Sequence, residues 1–310
     1  VHHAMDRLVQ AILTGDTAGA HLMIAKIKAY QQAHAAHVLP SRAKMRAEIW
    51  LNHWQQSRPV VFLALGASLL LCLAFFAGRP RRWLNVAQGL LLVLLTLWVT
   101  LLMGLRWWVS GHVPMTNGYE TMLLLAWFVE AIALLMQRRF RIVMVFGFLL
   151  SGFFLLVSHI NAMDPAIGQM MPVLNSPLLS IHVSVIMMSY ALLSLTFICA
   201  VMGLLMRRHE GELQALSQLF LYPAVAAMGI GIFIGAIWAN VSWGSYWSWD
   251  SKETWALITF MVYAIALHGG SLPAFRRPRP YHWFMVLAFL SLIMTYFGVN
   301  YLLSGMHSYA

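Results

Sequence analysis

Acidic residues are scarce in this chain, with ten Asp and Glu in 310 residues and only 10% of all residues charged. An ordinary soluble domain carries roughly 25% charged residues, so a water-facing globular surface of this length is excluded. Cysteine is nearly absent as well. Cys72 and Cys199 each sit alone inside an apolar run, with no CxxC pair. That excludes a disulfide framework, an iron–sulfur cluster and a cysteine zinc site, and leaves the two thiols as small packing hydrophobes.

Apolar residues are abundant instead, at 61% of the chain. Runs long enough to cross about 30 Å of hydrocarbon lie near 60–77, 84–104, 119–136, 142–160, 179–206, 219–241, 253–269 and 282–303. The expected fold class is all-α, a polytopic membrane protein of about eight transmembrane helices. Residues 1–58 form a small extracytoplasmic helical segment, and residues 59–310 form the transmembrane domain.

Twenty Lys and Arg give a net charge of +10, and their placement assigns orientation. Arg79, Arg81, Arg82, Arg138, Arg139, Arg141, Arg207, Arg208, Arg276, Arg277 and Arg279 fall in alternate inter-span loops. The intervening loops hold only Arg106 and Lys252. Short basic loops stay on the cytoplasmic side, so the other loops face outward, at a bacterial inner membrane. This ledger accounts for the positive charge, and no nucleic acid partner is expected.

The remaining basic residues, Arg7, Lys26, Lys28, Arg42, Lys44, Arg46 and Arg58, lie in the N-terminal segment. There Asp16 is placed to cap a helix carrying Leu22, Met23, Ile27 and Tyr30. Pro40-Ser41 is placed to start another, carrying Met45, Ile49, Trp50 and Trp54. These positions suggest a helical packing domain. His2, His3, His21, His34, His37 and His53 show no metal-site spacing and read as solvated. The chain opens on Val1-His2-His3-Ala4 without Met, h-region or cleavage site. The expectation is the C-terminal part of a longer polypeptide with upstream spans, the alternative being a trimmed chain.

Between the sixth and seventh spans runs Trp243-Gly244-Ser245-Tyr246-Trp247-Ser248-Trp249-Asp250. It is too polar and too rich in Gly and Ser to continue a membrane helix, yet it offers enough ring area to hold a flat apolar ligand. His182 opens the fifth span and His307 follows the eighth, both on the face of this aromatic loop. Two imidazoles and a shelf of indoles at one membrane depth suit a six-coordinate haem with an open edge. Each feature has a plainer counterpart, since Trp and Tyr form interfacial belts and a histidine at a span end often only hydrogen-bonds.

His268, at the cytoplasmic end of the seventh span, is a candidate ligand for a second haem site but has no histidine partner at its depth in these spans. Asp250 and Glu253 read first as caps of the seventh helix. Asp250 would also fix the loop that presents the indoles. Gly111 to Glu120 forms an outer turn able to cover the shelf. His159 and Glu130 read as structural, with Glu130 singled out because a charge at that depth is costly.

The run from Trp243 through Thr254, with His182, His268 and the terminal Asn300-Tyr301-Leu302-Leu303-Ser304-Gly305-Met306-His307-Ser308-Tyr309, resembles the tryptophan-rich WWD signature. The resemblance is to the CcsA (ResC) family of System II cytochrome c biogenesis, over roughly residues 59–310, with the WWD loop at 242–254. Residues 1–58 are similar to the tail of the CcsB (ResB) partner, fused ahead of CcsA in some bacteria as CcsBA.

The resemblance implies a holocytochrome c synthase, or cytochrome c haem-lyase, that exports haem b and attaches it to the CxxCH motif of apocytochrome c. It makes His182 and His307 the external axial ligands of the haem iron and His268 one of a transmembrane pair. Trp243, Tyr246, Trp247 and Trp249 would hold the porphyrin, and Trp243, Trp247, Trp249 and Asp250 would serve the attachment. Partners implied are apocytochrome c, the CcsB/ResB-like portion, the membrane and a thiol-reducing system. A haem transporter or chaperone without attachment chemistry leaves nearly the same footprint. A di-haem electron-transfer subunit fits less well, because it needs histidine pairs at both depths.

Overall fold

A computed structural model describes residues 2–55, 61–63, 65–67, 70, 82–160, 163–168 and 174–303. Among them every regular element is helical. The chain divides into two compact units at Trp50 and Leu51.

The first unit holds α1 (His2–Leu13), α2 (Thr17–Ala35) and most of α3 (Arg42–Gln55). Asp16 caps α2 by accepting the Gly19 N–H at 2.9 Å, and Ser41 Oγ accepts the Lys44 N–H at 3.2 Å to open α3. Both starts are as the sequence suggests. α2 packs along α1. It buries no residue, and Leu22 and Tyr30 stand more than half exposed, so this helix contributes no core of its own.

In the second unit α4 (Arg82–Ser110), α5 (Gly118–Met136), α6 (Arg141–Ser158), α7 (Pro177–Leu205), α8 (Glu210–Trp243), α9 (Ser251–Leu267) and α10 (Pro278–Ile293) follow in order. A π-helical turn (Met294–Gly298) and α11 (Val299–Tyr301) prolong α10. Proline at the first turn starts α7 and α10, where its missing N–H costs nothing. Asn117 caps α5 through the Glu120 N–H, and Gly244, at φ 77, ends α8 in the left-handed conformation that glycine tolerates.

Six helices are long and apolar enough to cross a membrane: Val86–Ser110, Gly118–Met136, Arg141–Ser158, Pro177–Leu205, Arg207–Trp243 and Pro278–Tyr301. The expected count of about eight is therefore not reached among the described residues. The span near 60–77 falls mostly outside them. The one at 253–269 is a real helix, α9, of only 17 residues.

Van der Waals packing must hold such helices together in lipid, and small residues permit it. A Cβ at Gly231 would meet the Ile186 side chain, and one at Gly147 would meet Ala133. Glycines thus seat α8 on α7 and α6 on α5. Two ends of the bundle can be told apart. At one, Gln214 Nε2 donates to Phe275 O at 2.7 Å and His282 Nε2 to Glu210 O at 2.9 Å, among the turns that carry Arg138, Arg139, Arg207, Arg208 and Arg276. At the other lie Arg106, the 111–117 turn and the aromatic loop.

Candidate functional site

The aromatic loop is built by its own carboxylates. Asp250 is the N-cap of α9 and accepts the Lys252 N–H at 3.0 Å, while Glu253 completes a capping box by accepting the Asp250 N–H at 3.3 Å. Glu253 Oε2 reaches further back, taking the Ser248 N–H at 2.8 Å and its hydroxyl at 3.4 Å. Ser245 Oγ donates to Trp247 O at 3.1 Å. Glu253 therefore shapes the loop as well as the helix start, a function the capping reading left out. An acid three residues after an N-cap aspartate was its visible signal.

Trp249 is held at φ 59, which bulky residues rarely adopt, with its carbonyl taking the Thr254 hydroxyl at 3.3 Å. Trp249 stands 70% exposed, and Tyr246 60%. A strained backbone that leaves an indole in the open is a feature expected of ligand clamps. Trp247 packs edge-on against Trp249, ring centroids 5.8 Å apart, and its indole N–H is buried without a hydrogen-bond partner among the described residues. Trp243 packs edge-on, at 4.8 Å, against the buried Trp238 one turn down α8. Asp250 is itself buried. Burial also pushes the Lys252 ammonium below its usual pKa of 10.5, against the opposing pull of Asp250.

His182 lies on the sixth position of α7 and faces α8. Its Nδ1 is 2.7 Å from the Gly231 carbonyl oxygen. A carbonyl only accepts, so Nδ1 carries the proton, and in the neutral ring the lone pair that a metal requires then lies on Nε2. The ring lies against Gly235, where a Cβ would come within 2.6 Å of Cε1 and 2.8 Å of Nδ1. Gly231 and Gly235 are thus part of the site, and their four-residue spacing is what sequence reading overlooked. Gly235 lies about 12 Å along the helix axis from Trp243, so His182 sits deeper than the head of the shelf rather than level with it.

His307 lies outside the described residues, as does Cys72. His268 caps the far end of α9, side chain exposed, its N–H given to Ile265 O at 3.1 Å. It flanks a cavity of about 440 Å³ lined by residues including Gln218, Tyr222, Gly270 and Arg276. The structure therefore brings Trp243, Tyr246, Trp247, Trp249 and Asp250 into one loop, places His182 below that end of the bundle, and leaves His268 at the opposite end.

The turn at 111–117 is anchored by a buried ion pair that the sequence reading did not foresee. Arg106 Nη2 and Nε bond Glu120 Oε1 at 2.7 and 3.0 Å, and Nη1 donates to Pro165 O at 2.8 Å. Glu120 Oε2 takes the Thr116 N–H and hydroxyl, both at 2.8 Å. The same turn sends Met115 to α7, where Ser184 Oγ donates to its sulfur at 3.2 Å. His159 caps α6 through Leu155 O, in keeping with a structural reading.

These features define a multi-pass helical membrane protein with an aromatic loop at one end of its bundle. The family model for the cytochrome C assembly protein matches residues 115–307. Protein NrfI of Wolinella succinogenes is 36% identical over 304 residues, covering 92% of this chain and 33% of its own. The cytochrome c biogenesis protein CcsA of Chlamydomonas reinhardtii is 34% identical over 264 residues, covering 79% of this chain and 72% of its own. CcsA of Parasynechococcus marenigrum is 33% identical over 298 residues, covering 81% and 96%. This chain spans about a third of the length of NrfI. It belongs to the cytochrome c assembly family, in its CcsA-type branch, with a role in cytochrome c maturation.

Proposed function

We propose that the chain brings haem b, as substrate, to the extracytoplasmic face of a bacterial inner membrane and joins it there to the CxxCH motif of apocytochrome c. The observation that carries this reading is the 2.7 Å contact between His182 Nδ1 and the Gly231 carbonyl oxygen. That bond turns the Nδ1–H toward Gly231, below the end of the bundle that presents the exposed Tyr246 and Trp249. In this reading His182 and His307 are the axial ligands. His268 belongs to a separate transmembrane site whose other histidine lies outside this chain. Residues 1–58 are the tail of a CcsB/ResB-like portion.

The chemistry asks little of the protein as a reagent. Each cysteine thiol of the apocytochrome adds across a haem vinyl group, its proton going to one vinyl carbon as sulfur bonds the other, and the client histidine replaces one axial ligand. Both thiols must be reduced, which is the task of a thiol-reducing partner. What the chain supplies is orientation, holding vinyl edge and sulfur within roughly 3–3.5 Å, an effect worth several kcal/mol. Trp243, Tyr246, Trp247 and Trp249 grip the porphyrin face, and Asp250 with Glu253 keeps the loop in shape.

The test is co-expression of the full chain and a CcsB/ResB-like partner with an apocytochrome, in a host without attachment machinery of its own. Covalent haem on a denaturing gel is the expected result. Haem that reaches the outer face without becoming covalent would instead make the protein a transporter or chaperone.

A further inference from the structure

Glu130 lies about 18 Å along the axis of α5 from Gly118 and about 9 Å from Met136, well inside a membrane-crossing helix. It is fully buried, and neither carboxyl oxygen has a hydrogen-bond partner among the described residues. Ser151 of α6 lies beside it, also fully buried, with a hydroxyl that is likewise unpartnered. Thr96 of α4 is the other polar neighbour, its hydroxyl proton given to Leu92 O at 2.8 Å. Three helices thus deliver oxygen-bearing side chains to one point, and none completes a hydrogen bond of good geometry with the carboxyl.

Among the described residues no basic side chain balances this acid. Arg106, also on α4, is committed to Glu120 and Pro165. Arg141 opens α6 about 15 Å along the axis from Ser151, and Arg138 and Arg139 lie beyond the end of α5. On α7, which also packs on α5, His182 bonds Gly231 and the ring of Tyr190 packs edge-on against Tyr296. An unpaired carboxylate in such surroundings is strongly disfavoured by the loss of its hydration. Something of charge +1 must therefore accompany it, and an oxygen-only set with one negative charge matches a monovalent ion better than a divalent one.

We propose that Glu130, with Ser151 and Thr96, binds a single monovalent cation, a proton or Na⁺, inside the helix bundle. This lies beyond haem handling. It gives the membrane domain a charge-binding site through which pH or sodium acts on the packing of α4, α5 and α6.

Dicyclohexylcarbodiimide partitions into lipid and adds to protonated carboxyls. Membranes holding the full chain are treated with it, and the Glu130 peptide is read by mass spectrometry. For a bound proton, Glu130 is modified in Na⁺-free medium, and the yield falls about tenfold per pH unit above its midpoint whether or not Na⁺ is added. For Na⁺, the modification is suppressed by Na⁺ and not by K⁺. A second measurement covers a bundle too tight for the reagent. The thermal unfolding midpoint of the wild type shifts with pH or Na⁺, and Glu130→Gln loses that shift. An unmodified Glu130 together with identical pH and Na⁺ responses in both proteins overturns the site.

Discussion

Glu253 Oε2 accepts the backbone N–H of Ser248 from five residues further along the chain, at 2.8 Å. One carboxylate thereby starts α9 and folds the aromatic loop back over that start. Glu253→Ala removes the acceptor for two backbone N–H groups and a hydroxyl, a loss of about 1–3 kcal/mol in loop stability. The expected readouts are faster proteolysis between Trp243 and Ser251 and a red-shifted tryptophan emission. Glu253→Gln, which keeps the acceptor oxygen, should lie between the two. A loop equally protected in Glu253→Ala would contradict this account.

The glycine beneath His182 is the second pressure point. Any side chain at Gly235 displaces the imidazole and stretches its bond to Gly231 O. Gly235→Leu should cost about 1–3 kcal/mol through overpacking and lower haem retention. Gly211→Ala, where a Cβ meets nothing within 4 Å, should leave both unchanged. Thermal unfolding and haem content per purified protein are the measurements.

Breaking the Arg106–Glu120 pair strands a charge in a dry setting. Arg106→Met should destabilise the protein by about 3–5 kcal/mol, since Glu120 is only 2% exposed. Adding Glu120→Gln should recover part of that loss, because the stranded charge is then gone. Additive effects in the double-mutant cycle would show that the two side chains do not interact.

Lys252 lends the loop a pH dependence of known sign. Its folded pKa lies below the usual 10.5 because of burial, so between the lowered value and 10.5 the unfolded chain binds more protons. Stability from this group therefore rises with pH across that window and is flat beyond it. Lys252→Met should flatten the slope of the unfolding midpoint against pH. An unchanged slope would mean that the ammonium is as well solvated folded as unfolded.

Much of the fold is legible in the chain because lipid imposes a crude and forceful rule. Apolar length reveals the long helices, and the arginines between them alternate as helices that cross and return require. Local chemistry is equally plain at Asp16, Ser41 and Asp250, where each cap reads from a few adjacent residues. Rotation and depth are harder. Which glycines of α8 face α7 depends on packing between two nearly uniform apolar surfaces, so nothing near His182 announced Gly231 and Gly235. The Arg106–Glu120 pair was hidden for a similar reason, as it joins two helices across a turn. The seventh span is present as α9, which runs 17 residues from its polar cap to His268, at the short end of the roughly 17–25 that a crossing takes.

In the proposed function His182 offers Nε2 to the haem iron. The most direct test is the absorption spectrum of haem co-purified with the full-length protein, compared between wild type and His182→Ala with and without added imidazole. A low-spin, bis-histidine spectrum is expected in the wild type, lost in His182→Ala and restored by imidazole. A His182→Ala protein that keeps the wild-type spectrum without imidazole would contradict this ligation.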